Sequence, residues 1–546
     1  MKIYLESLGC CRNQIDSEVM LGRLASAGHQ ICNDPSKAEV IVVNTCGFIA
    51  SASAEAVDTI LEMAQYKKEG SCQRLVVTGC LPERFRDDTI AEALPEVDAF
   101  LGIGACDDIV RAVEDDSPHT SSGNGTSRNS SQNDSPHTSS KSDSSRTFSA
   151  DDSSRVSSSS PLILLPDPCA RAFQGYPLPR TLTLDYSAYV KISEGCSHHC
   201  TYCIIPKLRG KQRSRPIKDI TAEISCLIQQ GVKEITLVGE NTTDYGFDLV
   251  KPDSNIQYLR HTSVIPSVKS VNLATLLEEV SYSASRTFSG VQSQLRQQEK
   301  VNILDKNKLH DPSELIWLRL LYTHPSSLTI EVIEKICALE NFCTYFDVPV
   351  QHASSKILKL MGRNYDLDLL YRLFESIREK APDAALRTTL ITGFPGETEA
   401  DFKTMLKFVE DIKFDHLGVF AYSDSEDLPS HRLKNHVPEK IGEERLDIIM
   451  AAQSRISENI NRKYMDKSLK VLVEENPDEG IYLGRTRFQA PEVDGITFIY
   501  GSGLEIGTFV DVKITETHEY DLAGEHSSYD PSVESSLIEP RKPTHL

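Results

Sequence analysis

Cys196-Ser197-His198-His199-Cys200-Thr201-Tyr202-Cys203 constrains this 546-residue chain more than any other segment. Three thiols at the spacing C-x3-C-x2-C converge on one short loop, so the fold must present that loop around a shared ligand. Thiolate clusters are normally closed by four cysteines. Three leave one iron of a [4Fe–4S] cube without a protein ligand, open to bind and reduce a substrate-like molecule. Two plainer readings compete. Zinc would take His198 or His199 as its fourth ligand, but zinc knuckles usually come as two C-x2-C pairs, and there is no second pair here. Both histidines also sit inside the loop, where their bite on the same metal is poor. The other plain reading is three unrelated buried thiols, and the spacing favours the cluster over both.

The loop directly follows a candidate strand, Ala188–Ile192. Further strands are expected at Glu234–Val238, Trp317–Tyr322, Tyr345–Val350, Leu386–Thr392 and His416–Tyr422. Helical patterns at Asp219–Gln230, Thr329–Leu339, Asp368–Lys380 and Glu399–Lys413 lie between them. Such alternation suits a curved (β/α)6 partial barrel, whose chemistry sits in the loops after the strands. Upstream, strands Ile3–Leu8, Val40–Asn44 and Leu75–Thr78 with helices Asp16–Ala27 and Ala54–Lys67 predict an α/β domain with a parallel sheet over residues 1–116. A helical stretch at Pro438–Tyr464 follows the partial barrel. Beyond it, Leu469–Glu474, Ile481–Thr486, Gly495–Tyr500 and Thr508–Thr517 predict a small antiparallel β-barrel, with a tail at 526–546.

Two segments interrupt this order. Residues 117–160 contain 19 serines in 44 positions and repeat Ser-Pro-His-Thr-Ser-Ser at 117–122 and 135–140. Such a stretch buries too little apolar surface to order itself and reads as a disordered linker. Residues 247–311 lack clear periodicity and read as an insertion. They share Ser-Arg-Thr-Phe-Ser, at 285–289, with 145–149 in the Ser-rich stretch. No apolar signal core follows Met1-Lys2, and no apolar run is long enough to span a bilayer, so a cytoplasmic protein without membrane contact is expected. Its 14 cysteines would stay reduced there, which points to metal or catalysis. The net charge of −21 argues for a neutral or basic partner over a phosphate-coated one.

A second set of cysteines shares a position rather than a motif. Cys10, Cys46 and Cys80 each follow a strand of the first domain, at the edge where open α/β sheets bind ligands. Strand-end cysteines are often merely small buried residues, yet three on one sheet edge favour a common ligand. Cys11 adjoins Cys10 and competes with it. Cys32, Cys72, Cys106, Cys169, Cys226, Cys337 and Cys343 show no metal-like spacing.

Together these residues resemble the radical S-adenosylmethionine (SAM) methylthiotransferases. The matches are Ser7-Leu8-Gly9-Cys10, Asn44-Thr45-Cys46-Gly47-Phe48-Ile49 and Thr78-Gly79-Cys80-Leu81 in the first domain. In the barrel they are Gly195–Tyr202, Ile205-Pro206, Arg209-Gly210 and Gly393-Phe394-Pro395-Gly396-Glu397-Thr398. The resemblance implies an N-terminal methylthiotransferase domain, a radical SAM domain over 180–455 and a TRAM barrel over 460–525. It also implies two [4Fe–4S] clusters, one on Cys196, Cys200 and Cys203 and an auxiliary one on Cys10, Cys46 and Cys80. The first would cleave SAM to a 5′-deoxyadenosyl radical, and the second would carry sulfur that a further SAM methylates. Gly239-Glu240-Asn241 would meet the methionine part of SAM, and Gly393, Gly396 and Glu397 its adenine or ribose. The family usually has proline where this chain has Cys11.

Two substrates compete within the family: an adenosine of tRNA and an aspartate of ribosomal protein S twelve. Asp347-Val348-Pro349-Val350-Gln351-His352, Ala490-Pro491-Glu492-Val493-Asp494-Gly495 and Glu519-Tyr520-Asp521-Leu522 resemble the ribosomal-protein branch. Residues 467–525 carry 12 Asp/Glu against 5 Lys/Arg, which suits a basic protein better than RNA phosphates. A monomer is therefore expected, acting on ribosomal protein S twelve, free or on the small ribosomal subunit. Its electron donor would be of the flavodoxin or ferredoxin kind.

Overall fold

A computed structural model describes residues 1–86, 89–115, 161–170, 179–249, 271–299 and 316–529. The Val40–Val43 and Leu75–Val77 runs are apolar on every residue, as expected of strands covered on both faces. Strands β1 (Lys2–Ser7), β2 (Gln30–Ile31), β3 (Val40–Thr45), β4 (Arg74–Gly79), β5 (Ala99–Gly102) and β6 (Leu162–Leu164) form one sheet in the order β2-β1-β3-β4-β5-β6. Every pairing in it is parallel. Ile41 and Val43 pack with Ile60 and Met63 of the helix Ala50–Glu69. Val40 and Val42 pack on the opposite face with Met20 and Leu24 of the helix Cys11–Ser26.

That second helix starts five residues earlier than the apolar pattern implied. Cys10 supplies the extended N-cap residue, and the polar first turn hides the helix from a periodicity count. Residues 117–160, read as a linker, lie outside the described residues. The chain beyond them returns to the first sheet as β6, beside β5.

The central-domain strands are β7 (Ser187–Lys191), β8 (Ser193–Glu194), β9 (Arg213–Ser214), β10 (Glu234–Val238), β11 (Trp317–Leu320), β12 (Tyr345–Asp347), β13 (Ala385–Thr392) and β14 (His416–Ala421). Two parallel ladders, β11-β10-β7 and β12-β13-β14, meet at the single bridge Leu318–Phe342, and β8 pairs with β9. This is the expected partial barrel. The segment read as an irregular insertion departs from expectation, because Leu273–Glu299 is one long helix. Leu273, Leu276, Leu277, Val280 and Ala284 seat it in the barrel's main core. Phe288 packs partly buried against the same core, but the apolar positions thin out beyond Ala284, which dilutes the helical period in sequence. The flanking residues 250–270 and 300–315 lie outside the description.

Strands β15 (Ser468–Asp478), β16 (Ile481–Thr486), β17 (Thr497–Tyr500), β18 (Phe509–Thr517) and β19 (Leu522–His526) close a barrel in the order β15-β16-β17-β19-β18. Sequence reading found four of these strands. The fifth, β19, closes the ring by pairing in parallel with β17 and antiparallel with β18, so the barrel is not antiparallel throughout.

This small barrel is fastened to the large one by charge and by packing. Glu234, fully buried at the start of β10, accepts from Arg319 Nε (3.0 Å) and from Arg485 Nη2 of the small barrel (2.5 Å). Leu472, Ala490 and Phe509 of the small barrel share an apolar cluster with Tyr189, Val238 and Tyr345, and with Cys11 and Ile15 of the first domain. All three domains therefore meet in one core. Glu234→Ala should leave the buried Arg319 without its carboxylate and Arg485 with Glu474 as its one carboxylate partner, and cost about 3–5 kcal/mol. Urea unfolding followed by tryptophan fluorescence, reporting Trp317 beside Phe509, checks this.

Candidate active site

The first cysteine loop leaves the end of β8, just beyond β7, through Gly195 at φ +74°. A Cβ there would lie 2.4 Å from Lys211 O, so only glycine lets the two backbone segments approach. Cys196 N–H then donates to Gly210 O (3.0 Å), and Cys203 N–H to Cys200 O (3.1 Å). Tyr202 anchors the turn. Its ring meets Phe394 edge-to-face at 6.3 Å, and its hydroxyl accepts from Arg363 Nε at 3.0 Å. Burial, reinforced by the neighbouring Cys200 charge, pushes the Cys196 and Cys203 thiols each up to about 12. A metal would have to displace those protons to bind the thiolates.

The histidines of the loop have other engagements. His198 Nε2 lies 2.9 Å from Asp244 Oδ2 and 3.0 Å from Asn241 Nδ2, and its ring stacks on His324 at 4.3 Å. His199 is exposed. Among the described residues no three of His, Cys, Asp or Glu gather as ligands of one ion.

Cys10, Cys46 and Cys80 come together at the ends of β1, β3 and β4. Gly9, at φ +93°, is their cradle: a Cβ there would fall 2.8 Å from Cys46 Cβ and 3.2 Å from its Sγ. Burial pushes Cys80 up to about 12 against the pull of Arg209, and the charges of Cys10 and Cys46 raise it further. Cys46 is likewise raised by burial. Burial opposes ionisation of Cys10 too, but Arg12 and Arg209 outweigh it, and this thiol lies below its ordinary range. Cys11 turns the other way, into the shared apolar core, with its Sγ 3.5 Å from Tyr322 Oη and its thiol pushed up to about 11 by burial. Of the adjacent pair, Cys10 faces the other two.

Between the triads runs a buried band of charge. Glu240, just beyond β10, places Oε1 3.0 Å from Arg12 Nε and 3.3 Å from Arg209 Nε. That oxygen makes no hydrogen bond. Arg12 also donates to Gly239 O (3.3 Å) and lies over the Tyr322 ring at 4.4 Å. Asn241 Oδ1 accepts from Thr243 N–H (3.1 Å), which orients its amide toward His198. A Cβ at Gly239 would meet Ser193 Oγ at 2.6 Å, so that position has no room for a side chain.

The Gly393–Glu397 run is placed differently. Glu397 is fully engaged within the wall, accepting from Gly393 N–H (3.0 Å) and Arg445 Nη1 (2.6 Å), with His352 Nε2 3.3 Å away. Gly396 N–H donates to Asn435 O (2.8 Å). The run's contact with the first cysteine loop is Phe394, against Tyr202. Arg12, Asn13, Tyr322 and Arg363 were given no role from sequence. The adjacency of Arg12 and Asn13 to Cys10 was the one available signal.

Two sets of three thiols and a glycine cradle at one of them fit iron–sulfur clusters with an open iron. Cys196, Cys200 and Cys203 are placed to hold one, and Cys10, Cys46 and Cys80 the other.

Comparison with known proteins finds relatives along nearly the whole chain. Residues 2–102 match the uncharacterized protein family UPF0004, residues 190–409 the radical SAM superfamily and residues 467–526 the TRAM domain. The chain is 42% identical over 526 residues to the ribosomal protein uS12 methylthiotransferase RimO of Desulfosudis oleivorans, covering 96% of this chain and 100% of that one. It is 39% identical to the protein of the same name from Clostridioides difficile, covering 96% and 98%.

Anaerobic reconstitution with iron and sulfide separates the adjacent cysteines. Cys10→Ala should lose about four irons per chain, one cube, whereas Cys11→Ala should keep its iron. Gly9→Val, which drives a side chain into Cys46, should lose the same cube while far-ultraviolet circular dichroism stays unchanged.

Proposed function

The chain belongs to the radical SAM methylthiotransferase family, in its ribosomal protein uS12 branch, and we propose that it attaches a methylthio group to the β-carbon of an aspartate in uS12. The observation that carries this reading is the pairing of two three-thiol sites across the Arg209–Glu240 contact. The cofactors are SAM and [4Fe–4S] clusters. When bound, they supply the reducing electron, the hydrogen-abstracting power and the sulfur and methyl that are transferred, none of which side-chain acids and bases can supply at an unactivated C–H.

The protein's own groups bind and orient. Cys196, Cys200 and Cys203 would hold the cluster that engages SAM; Cys10, Cys46 and Cys80 would hold the one that carries sulfur. Glu240, ion-paired with Arg12 and Arg209, would meet the ammonium of SAM, with Gly239 and Asn241 beside it. Gly393 and Gly396 border the adenine and ribose region through their backbone, while Glu397 holds that backbone in place. Arg12, over the Tyr322 ring, closes the chamber between the triads.

The small barrel selects the substrate. Arg485 and Arg487 are turned inward, to Glu234 and to Phe342 O. Its outward surface carries Glu475, Asp478, Glu479, Glu505, Asp511, Glu516, Glu519 and Glu525, which suits a basic ribosomal protein and repels RNA phosphate. Among the described residues no helix is long and apolar enough to cross a membrane. We place the enzyme in the cytoplasm as a monomer, meeting uS12 free or on the small subunit and reduced by a flavodoxin or ferredoxin. Cells lacking the protein should yield uS12 lighter by one methylthio group in intact-protein mass spectra, with tRNA methylthio-nucleosides unchanged. Loss confined to tRNA would assign the other substrate.

A further inference from the structure

Residues 203–210 touch both cysteine triads. Cys203 closes the first. Ile204 and Leu208 pack with Cys80 and Ile103 in one buried cluster. Gly210 gives its carbonyl to Cys196 N–H. Between these contacts the Arg209 side chain, 1% exposed, points into the first domain. Its Nη1 donates to Glu194 Oε1 (2.6 Å) and lies 3.4 Å from Asp16 Oδ2, while Nη2 donates to Asn13 Oδ1 (2.7 Å). A buried guanidinium is tolerated only where its fork finds acceptors, and here both domains supply them.

Asn13 passes that contact on. Its Nδ2 donates to Leu8 O (3.0 Å) and Thr45 O (2.9 Å), just ahead of Cys10 and Cys46. Its Oδ1 stands 3.8 Å from Cys80 Sγ. One amide thus braces the approach to all three thiols of the second triad, and Arg209 holds that amide from within the segment that follows the first.

We propose that Arg209 is a positioning residue for the second triad: through Asn13 it sets the loops that carry Cys10, Cys46 and Cys80, so cluster retention there depends on contact with the radical SAM domain. The inference rests on the reading that each triad carries a cluster. Lysine cannot replace Arg209, because a single ammonium does not reach Glu194 and Asn13 in the same fork.

The test uses full-length protein reconstituted anaerobically, with each cluster identified by whether its electron paramagnetic resonance responds to SAM. Arg209→Lys should release the SAM-silent cluster to a chelator about tenfold more readily, the usual scale for a lost outer partner, with the SAM-responsive signal kept. Asn13→Ala should do the same, and the double variant should be no worse than Asn13→Ala alone. Equal retention of both clusters in Arg209→Lys, or additive losses in the double variant, would overturn the proposal. If Arg209→Lys fails to fold, Asn13→Asp against Asn13→Ala decides. Both lose the Nδ2 donor, but Asn13→Asp keeps the acceptor for Arg209 and should retain more cluster; equal loss sinks the idea. A wild type with no SAM-silent cluster would instead overturn the two-cluster reading itself, and uS12 left unmodified by a two-cluster protein would count against the substrate alone.

Discussion

The arrangement hangs on a buried balance of charge where the first domain meets the barrel. Arg12, Lys191 and Arg209 stand against Asp16, Glu194 and Glu240, three cations and three anions with almost no water between them. Burying so many charges gains little net stability, because desolvation offsets the attraction. What the network gives is geometry. Each carboxylate is shared by two cations, so a small slip of one domain over the other would strand a charge in a low dielectric. The relative placement of the triads is held by that penalty more firmly than apolar contact alone would hold it.

Apolar packing supports the same outcome from below. Cys11 and Ile15 of the first domain, Tyr189 and Val238 of the barrel, and Leu472 and Phe509 of the small barrel form one cluster. The small barrel and the first domain therefore share one apolar core with the large barrel. Tyr322 sits at the edge of this core with φ +60°, an unusual conformation for an aromatic residue. Asp347 Oδ2 accepts its N–H (2.8 Å) and so helps to hold it there, which keeps the ring beneath Arg12.

Local signals made much of this legible beforehand. The first triad is contiguous in sequence, and the second was found because each cysteine trails an apolar strand. The β–α alternation of the barrel survived because its strands are short runs rich in apolar residues, buried along β7, β10, β11 and β12. What escaped had weak or divided signals. Strand β6 is three residues standing after a low-complexity stretch, β19 is interrupted by Gly524, and the apolar positions of the helix Leu273–Glu299 thin out beyond Ala284. Arg209 and Asn13 lie 196 residues apart, and no local pattern announces such a pair. The choice between Cys10 and Cys11 likewise depended on which face of a helix start met the neighbouring loops.

The return of β6 to the first sheet has a bearing on how the protein is made. The outer edge of β5 waits for Leu162–Leu164, 62 residues after Gly102 at the last of them. At ribosomal speed that delay is roughly 3–12 s. Throughout it, a nascent sheet shows an unpaired edge of backbone donors and acceptors, the kind of surface on which chains aggregate. The first domain is thus encoded in two pieces, and its completion is timed by translation.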